Sequence, residues 1–134
     1  MADDTVKTVQ LNHIAQIAIT VSDLARSKAF YKDQLGIPFL FDAGSMAFFL
    51  CGSTRLMLGT AEPGKPISSS GTILYFKVDD IEATHDGLLA LNVPILQPPH
   101  LVAKMPTHDL WMAFVTDPDG NPIGLMSEVP RTDE

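Results

Sequence analysis

The sequence contains the same pattern twice, and this internal repeat constrains the fold more than any other feature. Val21-Ser22-Asp23-Leu24 followed by Leu35-Gly36 recurs as Val78-Asp79-Asp80-Ile81 followed by Leu91-Asn92. The offset is 57 residues at the first block and 56 at the second, which predicts a one-residue deletion in the helix between the blocks. A repeat of this length is a whole sub-domain, longer than most solenoid units. The sequence therefore predicts a pseudo-symmetric pair of modules that share one site.

Composition limits the classes of protein to which the chain can belong. Its 134 residues, 46% of them hydrophobic, suffice for one globular domain over residues 1–134. Cys51 is the single cysteine, so no internal disulfide can form, which suits a reducing compartment. The net charge of −7 disfavours nucleic acid as a partner. With no long apolar run and no basic-then-apolar leader, we expect a cytoplasmic protein without a membrane segment.

The first module, residues 10–60, is predicted to have the order βαβββ. Alternating Ile, Val and Thr residues indicate strands, while apolar residues at helical spacing before Gly36 indicate a helix that ends in a left-handed cap. The predicted elements are a strand at Asn12–Val21, a helix at Ala25–Gln34, and strands at Ile37–Phe41, Met46–Cys51 and Arg55–Thr60.

The second module, residues 71–128, follows a linker at residues 61–70 and repeats this order. Its last two strands are joined by the turn Asp117-Pro118-Asp119-Gly120. The proline-rich segment Pro98–Thr107 is predicted to be an irregular functional flap. The predicted elements are a strand at Thr72–Val78, a helix at Asp80–Leu91, and strands at Val93–Gln97, Leu110–Thr116 and Asn121–Ser127, with disordered tails at Met1–Lys7 and Arg131–Glu134.

These motifs together resemble the vicinal oxygen chelate superfamily, which includes glyoxalase I, bleomycin-resistance proteins, extradiol dioxygenases and methylmalonyl-CoA epimerase. The resemblance covers about residues 10 to 128 and depends on three segments: Gln16 to Leu24, Ser27 to Gly36, and Asp117 to Asn121. It implies an α+β fold in which two βαβββ modules curl into a cupped mixed sheet. In many members this cup holds a divalent metal that acts as a Lewis acid on the substrate.

The resemblance also indicates which residues would hold the metal, and most of them are not metal ligands here. The position on the first strand is Gln16, whose oxygen can bind a metal, but the repeat places Ile73 at the equivalent position of module two. The fourth strand offers Met57, and the last strand has Gly124 where relatives carry Glu. One amide oxygen does not hold a divalent ion. We therefore predict no metal and no other cofactor, with a divalent metal at a relocated site as the alternative.

Strand alternation predicts which side chains line the cup once Gln16 is taken to face it. The predicted lining is largely apolar with a few polar groups, as is usual for a small-molecule site. Arg55 could clamp a carboxylate or phosphate, or it could lie at the rim. Lys77, near a strand end, is expected at the solvated surface. The predicted ligand-binding residues are Gln16, Arg55, Met57, Ile73, Tyr75, Gly124 and Met126.

The histidines carry the alternative hypotheses. His108 is the candidate for catalytic proton transfer, with Asp109 either orienting it or serving as a turn residue. His13, His100 and Glu128 are the other residues from which a relocated metal site could be built.

Two functions compete on this evidence, and a scaffold that binds no ligand, with a cup filled by Met57, Tyr75 and Met126, is a third hypothesis. We expect a homodimer, as is common in the superfamily. The first is a protein resembling bleomycin-resistance proteins that binds a small, largely apolar molecule without a metal. The second is a lyase, isomerase or dioxygenase that uses a relocated metal or His108 as general base. The sequence leaves open whether the chain is an enzyme. It also leaves open whether the modules pair within one chain or across the dimer.

Overall fold

A computed structural model describes residues 9–61 and 72–131 of the chain. Its elements follow in the order βαβββ twice, which confirms the predicted fold class. Module one contains β1 (Gln16–Val21), α1 (Leu24–Ala29) continued by a π-helical segment (Phe30–Gln34), β2 (Phe39–Ala43), β3 (Met46–Cys51) and β4 (Thr54–Thr60). Module two contains β5 (Leu74–Lys77), α2 (Ile81–Ala90), β6 (Ile95–Lys104), β7 (His108–Thr116) and β8 (Pro122–Pro130).

Each module forms a mixed four-stranded sheet with the same strand order. The orders are β1-β4-β3-β2 and β5-β8-β7-β6, and in both sheets the first strand pairs in parallel with the fourth while the others are antiparallel. Parallel neighbours need a crossover connection, and the helix of each module provides part of it. The repeat in the sequence is therefore a repeat of topology.

Both helices begin at an aspartate and end at a left-handed residue. The side chains of Asp23 and Asp80 accept hydrogen bonds from the third backbone N–H beyond them, which satisfies one of the unpaired donors at each helix start. Gly36 (φ 73°) and Asn92 (φ 64°) follow the last turns, as predicted for Gly36. Asparagine is one of the few non-glycine residues that adopt this conformation readily.

The one-residue offset of the repeat lies within the helix of module one. From Leu24 to Gln34 the helical segment has 11 residues, 6 α-helical and 5 π-helical, whereas α2 has 10. The π segment closes with a hydrogen bond from the Leu35 N–H to the Phe30 carbonyl at 2.9 Å. Since a π turn takes up one more residue than an α turn, both helices connect equivalent strands.

The core lies between each helix and the sheet face that it covers. Every second residue of the central strands points toward this core, including Phe49 and Leu58 in module one and Val115 and Ile123 in module two, all at most 2% exposed. On β1, Ile17 and Ile19 pack against the same core, as strand alternation predicts. The opposite face of each sheet has no helix against it among the described residues, and we call it the open face.

The prediction of an irregular flap at Pro98–Thr107 is wrong. β6 continues through the prolines to Lys104 and pairs with β7 along its length, with irregular register around Gln97 and His100. Proline is tolerated here for two reasons. β6 is the edge strand of its sheet, where an N–H that faces solvent is not needed for pairing. The irregular register also leaves Pro98 and Pro99 outside the ladder of hydrogen bonds.

The connection between β6 and β7 is closed by Arg131, which was predicted to belong to a disordered tail. Its guanidinium donates to the Asp109 carboxylate at 2.5 Å, to the Pro106 carbonyl at 3.2 Å, and to the Met105 carbonyl. This contact depends on β8 extending to Pro130, beyond the predicted end at Ser127. The predicted linker at 61–70, apart from residue 61, and the rest of the predicted tails lie outside the described residues. None of the described helices is long and apolar enough to cross a membrane.

Candidate ligand site

The residues predicted to bind a ligand lie mainly on the two open faces. In module one the open face carries Gln16 on β1 and Arg55 and Met57 on β4, because Gln16 pairs with Arg55, and Ala18 with Met57. In module two Tyr75 pairs with Gly124, and Lys77 with Met126. Ile73 precedes the first residue of β5 and is 41% exposed. Within the described parts of the chain, no hydrogen bond or ring contact joins the two sets directly.

Gln16 and Arg55 form one hydrogen-bonded unit on the open face of module one. The Arg55 Nε–H donates to the Gln16 side-chain oxygen at 2.9 Å. The guanidinium carbon also lies 5.6 Å from the ring centroid of Phe48 on the neighbouring strand, a cation–π distance. The side chain is therefore held by one hydrogen bond and one ring while it remains exposed.

Phe48 belongs to a short aromatic row that the sequence analysis did not assign to the site. Its ring centroid lies 4.9 Å from that of Phe41 on β2, with the two planes tilted by 31°. Phe41 is 47% exposed, so this pair forms part of the surface of the open face. Strand alternation could have identified Phe48, because residues two apart on a strand, such as Met46 and Phe48, point to the same face. Phe48 also pairs with Met57 of the predicted set when β3 and β4 are aligned.

Tyr75 occupies the position above Gly124 on the open face of module two. A Cβ atom on Gly124 would lie 2.5 Å from Cδ2 and 2.7 Å from Cε2 of the tyrosine ring, which is closer than packed atoms approach. The ring also meets Phe114 edge-on, with centroids 5.7 Å apart and planes at 79°. Tyr75 is 47% exposed, so its other side is available to a ligand.

The charged groups of the module-two open face are paired with each other. Lys77 Nζ lies 3.4 Å from a carboxylate oxygen of Glu128, and their side chains are 65% and 41% exposed. Such an exposed pair adds little stability. The two charges balance each other locally. The rest of this face is formed by aromatic side chains and by Met126 and Met112, which pair across β8 and β7.

Hydrogen bonds join the β7–β8 turn to module one, at the helical segment and at the residue before the helix cap. The Tyr31 hydroxyl donates to the buried Asp117 carboxylate at 2.8 Å, and the Ser22 N–H donates to Asp119 at 3.2 Å. Burial of the ring, together with the negative charge of Asp117, raises the pKa of Tyr31 far above its ordinary value. Asp117 also accepts two hydrogen bonds from Asn121, which hold the turn in shape.

Two clefts follow the seam between the modules, and they are smaller than a typical ligand pocket. Their volumes are about 180 Å³ and 190 Å³. Residues of β1 and β5 line both clefts, and Tyr75 at the second is the one member of the predicted set that reaches either. Because a small-molecule site usually encloses about 300 Å³ or more, the open faces are the better candidate surfaces.

His108 lies at the start of β7 near the hairpin end, and its surroundings differ from those predicted. Its Nδ1 lies 3.2 Å from the Thr107 hydroxyl. The neighbouring Asp109 carboxylate binds Arg131. Asp109 is therefore engaged in closing the hairpin and does not orient the His108 ring.

The residues at the positions implied by the superfamily do not fit a divalent metal. The Gln16 oxygen accepts a hydrogen bond from a guanidinium, Ile73 has no donor atom, and the space beside Gly124 is filled by the Tyr75 ring. Over residues 9–61 and 72–131, no three His, Cys, Asp or Glu side chains are grouped closely enough to hold a metal ion. In this part of the chain, no three of the side chains of His13, His100, His108 and Glu128 lie together.

The chain consists of two βαβββ modules in tandem, and each module has one sheet face covered by a helix and one open face. This repeated unit defines the class of protein to which the chain belongs. The family model described as Glyoxalase/Bleomycin resistance protein/Dioxygenase superfamily matches residues 10–125. The chain belongs to this superfamily, as the resemblance in its sequence implies.

The chain is similar to several bacterial proteins. It is 32% identical over 128 residues to the uncharacterized protein YraH of Bacillus subtilis, covering 84% of this chain and 95% of YraH. It is 32% identical over 119 residues to the metallothiol transferase FosB of Lysinibacillus sphaericus, covering 85% and 79%. Among solved structures, TnmS3, an antibiotic binding protein from Streptomyces sp. CB03234, aligns with a TM-score of 0.71 at 26% identity, covering 90% and 99%.

Proposed function

We propose that the protein binds a small, largely apolar molecule on its open faces without using a metal. The observation that carries this proposal is the Tyr75 ring lying over Gly124. At the position where metal-using relatives are expected to place a carboxylate, this chain has an exposed aromatic surface supported by Phe114. An aromatic face of this kind favours a planar apolar ligand through stacking and burial of apolar area.

The comparisons support binding more directly than they support chemistry. TnmS3 is described as an antibiotic binding protein, and it resembles this chain over nearly its whole length. FosB is described as a metallothiol transferase, but the residues at the implied metal positions here are Gln16, Ile73 and Gly124. A metal-dependent transfer would need several donor atoms at these positions, and Gln16 alone among the three offers one.

We further propose that the protein acts as a homodimer in the cytoplasm. Apolar side chains on the open faces, including Leu50 at 39% exposure and Tyr75 at 47%, would be covered when open faces from two modules meet around a ligand. Cys51 would stay a free thiol in that reducing compartment. Light scattering of the purified protein at several concentrations tests the dimer.

The binding proposal is tested by NMR titration with a neutral planar probe. Uniformly ¹⁵N-labelled protein, dialysed against chelator, is titrated with 2-naphthamide while backbone amide shifts are followed. We expect the largest shifts on the open faces, at Tyr75, Gly124 and Met126 in module two and at Arg55 and Met57 in module one. Tyr75→Ala should weaken binding about tenfold, since an aromatic contact contributes about 0.5–1.5 kcal/mol beyond the area that it buries.

The matched control is Leu89→Ala, because Leu89 is 54% exposed on α2, away from the open faces. This variant should bind 2-naphthamide like the parent protein. Addition of zinc or manganese to the chelator-treated protein should leave its melting temperature unchanged, whereas a bound metal would raise it. Tight metal binding, or the absence of any shift on the open faces with a series of planar neutral probes, would contradict the proposal.

A further inference from the structure

We propose that the ligand carries a carboxylate, held by Arg55 and Gln16, beside a planar aromatic group. This inference rests on the proposed binding function and specifies the class of ligand. It concerns the open face of module one, where the guanidinium, the amide and the Phe41–Phe48 pair lie together.

The hydrogen bond between Arg55 and Gln16 determines which edge of the guanidinium faces the ligand. Because Nε donates to Gln16, the edge formed by Nε and one terminal nitrogen is already in use. The two terminal nitrogens remain as a planar fork, and this fork matches the spacing of the two oxygens of a carboxylate. Arg55 is exposed, so a dissolved ligand can reach the fork.

The same hydrogen bond also fixes the orientation of the Gln16 amide. Arginine has donors and no acceptor, so the oxygen of Gln16 must be the atom that faces Arg55. The amide NH₂ is consequently the group left for other partners. Apart from the second lone pair of the Gln16 oxygen, the polar groups that this pair offers are hydrogen-bond donors, which favours an oxyanion over a cation.

Among the described residues, Arg55 has no carboxylate partner, whereas the other two arginines each have one. Within the described residues, Arg26 lies 3.8 Å from the Asp119 carboxylate and Arg131 lies 2.5 Å from that of Asp109. No carboxylate among those residues forms an ion pair with Arg55, whose partner is a neutral amide. A guanidinium held by a neutral amide keeps its positive charge available and favours an anion from outside.

The aromatic part of the ligand is inferred from the groups that continue the row. Phe41, Phe48 and the Arg55 guanidinium follow one another across β2, β3 and β4 at 4.9 Å and 5.6 Å. A flat ligand that binds the fork through its carboxylate can place its ring on Met57 and the exposed side of this row. An aliphatic carboxylate would gain the ion pair without the ring contact.

The test compares 2-naphthoate with 2-naphthamide, which has the same shape but no charge. Titration calorimetry on the intact protein should show 2-naphthoate binding about tenfold more tightly, as expected for a charge-assisted bidentate contact. Arg55→Gln should remove this difference between the two probes, because the planar fork and its charge are lost. Arg55→Lys keeps the charge but loses the planar fork, so it should retain only part of the difference.

The control for charge alone is Lys104→Gln, which removes one positive charge from an exposed residue at the end of β6. This variant should keep the full preference for 2-naphthoate. If the parent protein binds both probes equally, or if Arg55→Gln leaves the preference intact, the carboxylate site is wrong while the proposed binding function stands. If neither probe binds, both proposals fail.

Discussion

The two modules are nearly the same under their helices and differ on their open faces. On the helix-covered side, both sheets bury alternate apolar residues against one helix that starts at an aspartate. On the open side, module one presents a guanidinium bound to an amide, whereas module two presents Tyr75 over Gly124 and the Lys77–Glu128 pair. The shared side is fixed by packing, which tolerates few changes. The open side has no such constraint, and there the two copies have acquired different chemistry.

The modules also differ in their helices and in the length of the hairpin that follows each helix. β2 and β3 have 5 and 6 residues, whereas β6 and β7 have 10 and 9. Module one in turn has the longer helical segment, with its π turn at Phe30–Gln34. That turn includes Tyr31, the residue that bonds to Asp117 in module two. The irregular part of one helix thus belongs to the contact between the modules.

The largest expected effect is the loss of stability when a core side chain is truncated in either module. Comparing the two losses tests whether the modules also differ in stability. Phe49 in β3 and Val115 in β7 occupy equivalent core positions, and both are 0% exposed. Phe49→Ala should lower the free energy of unfolding by about 3–5 kcal/mol, and Val115→Ala by about 2–3 kcal/mol, because the smaller side chain leaves a smaller cavity. Urea denaturation followed by circular dichroism measures both.

The fluorescence of Trp111, the chain's single tryptophan, shows whether the modules unfold together. It lies in module two and packs against the core there. If the buried contact between Tyr31 and Asp117 couples the modules, Phe49→Ala should shift the tryptophan transition as much as it shifts the circular dichroism transition. An unchanged tryptophan midpoint would show that the modules unfold independently.

The second prediction compares the chain's two tyrosines. Tyr31→Phe removes the hydroxyl that donates to Asp117, a carboxylate that is 3% exposed. It should cost about 1.5–3 kcal/mol of stability, as expected for a hydrogen bond to a buried charged group. Tyr75→Phe should change stability little, because that side chain is 47% exposed on the open face. Equal effects of the two substitutions in urea denaturation would rule out the proposed role of the Tyr31 contact in joining the modules.

The third prediction follows from the raised pKa of Tyr31, which burial and the neighbouring Asp117 cause. The folded protein keeps the phenolic proton at a pH where the unfolded chain releases it, so unfolding releases a proton. Stability is therefore unaffected by this group below about pH 10 and should fall by about 1.4 kcal/mol per pH unit above it. Denaturation midpoints across this range measure the slope. Tyr31→Phe should lack this contribution, and an identical slope in that variant would assign it to other groups.

The sequence predicted the order of elements well because both copies repeat their aspartate caps, left-handed stops and apolar spacing. It did not predict β6 through Pro98 and Pro99, since the tolerance for these prolines comes from their place on an edge strand. For the site, alternation placed Gln16 beside Arg55 on one face. The ring over Gly124 and the closure of a hairpin by Arg131 depend on strand neighbours that only the folded sheet defines.

The smallest effect concerns one hydroxyl at equivalent positions of the two helices. Thr84 Oγ1 in α2 donates to the Asp80 carbonyl at 2.9 Å, whereas Ser27 Oγ in α1 is buried with no hydrogen-bond partner among the described residues. Ser27→Ala should therefore raise the free energy of unfolding by up to about 1 kcal/mol, and Thr84→Val should lower it by about 0.5–1 kcal/mol. Thermal and urea denaturation resolve the two signs. If Ser27→Ala were clearly destabilising, the hydroxyl would have a partner in solution. Opposite signs would show that the repeat preserves a hydroxyl at this position while its hydrogen bond differs between the copies.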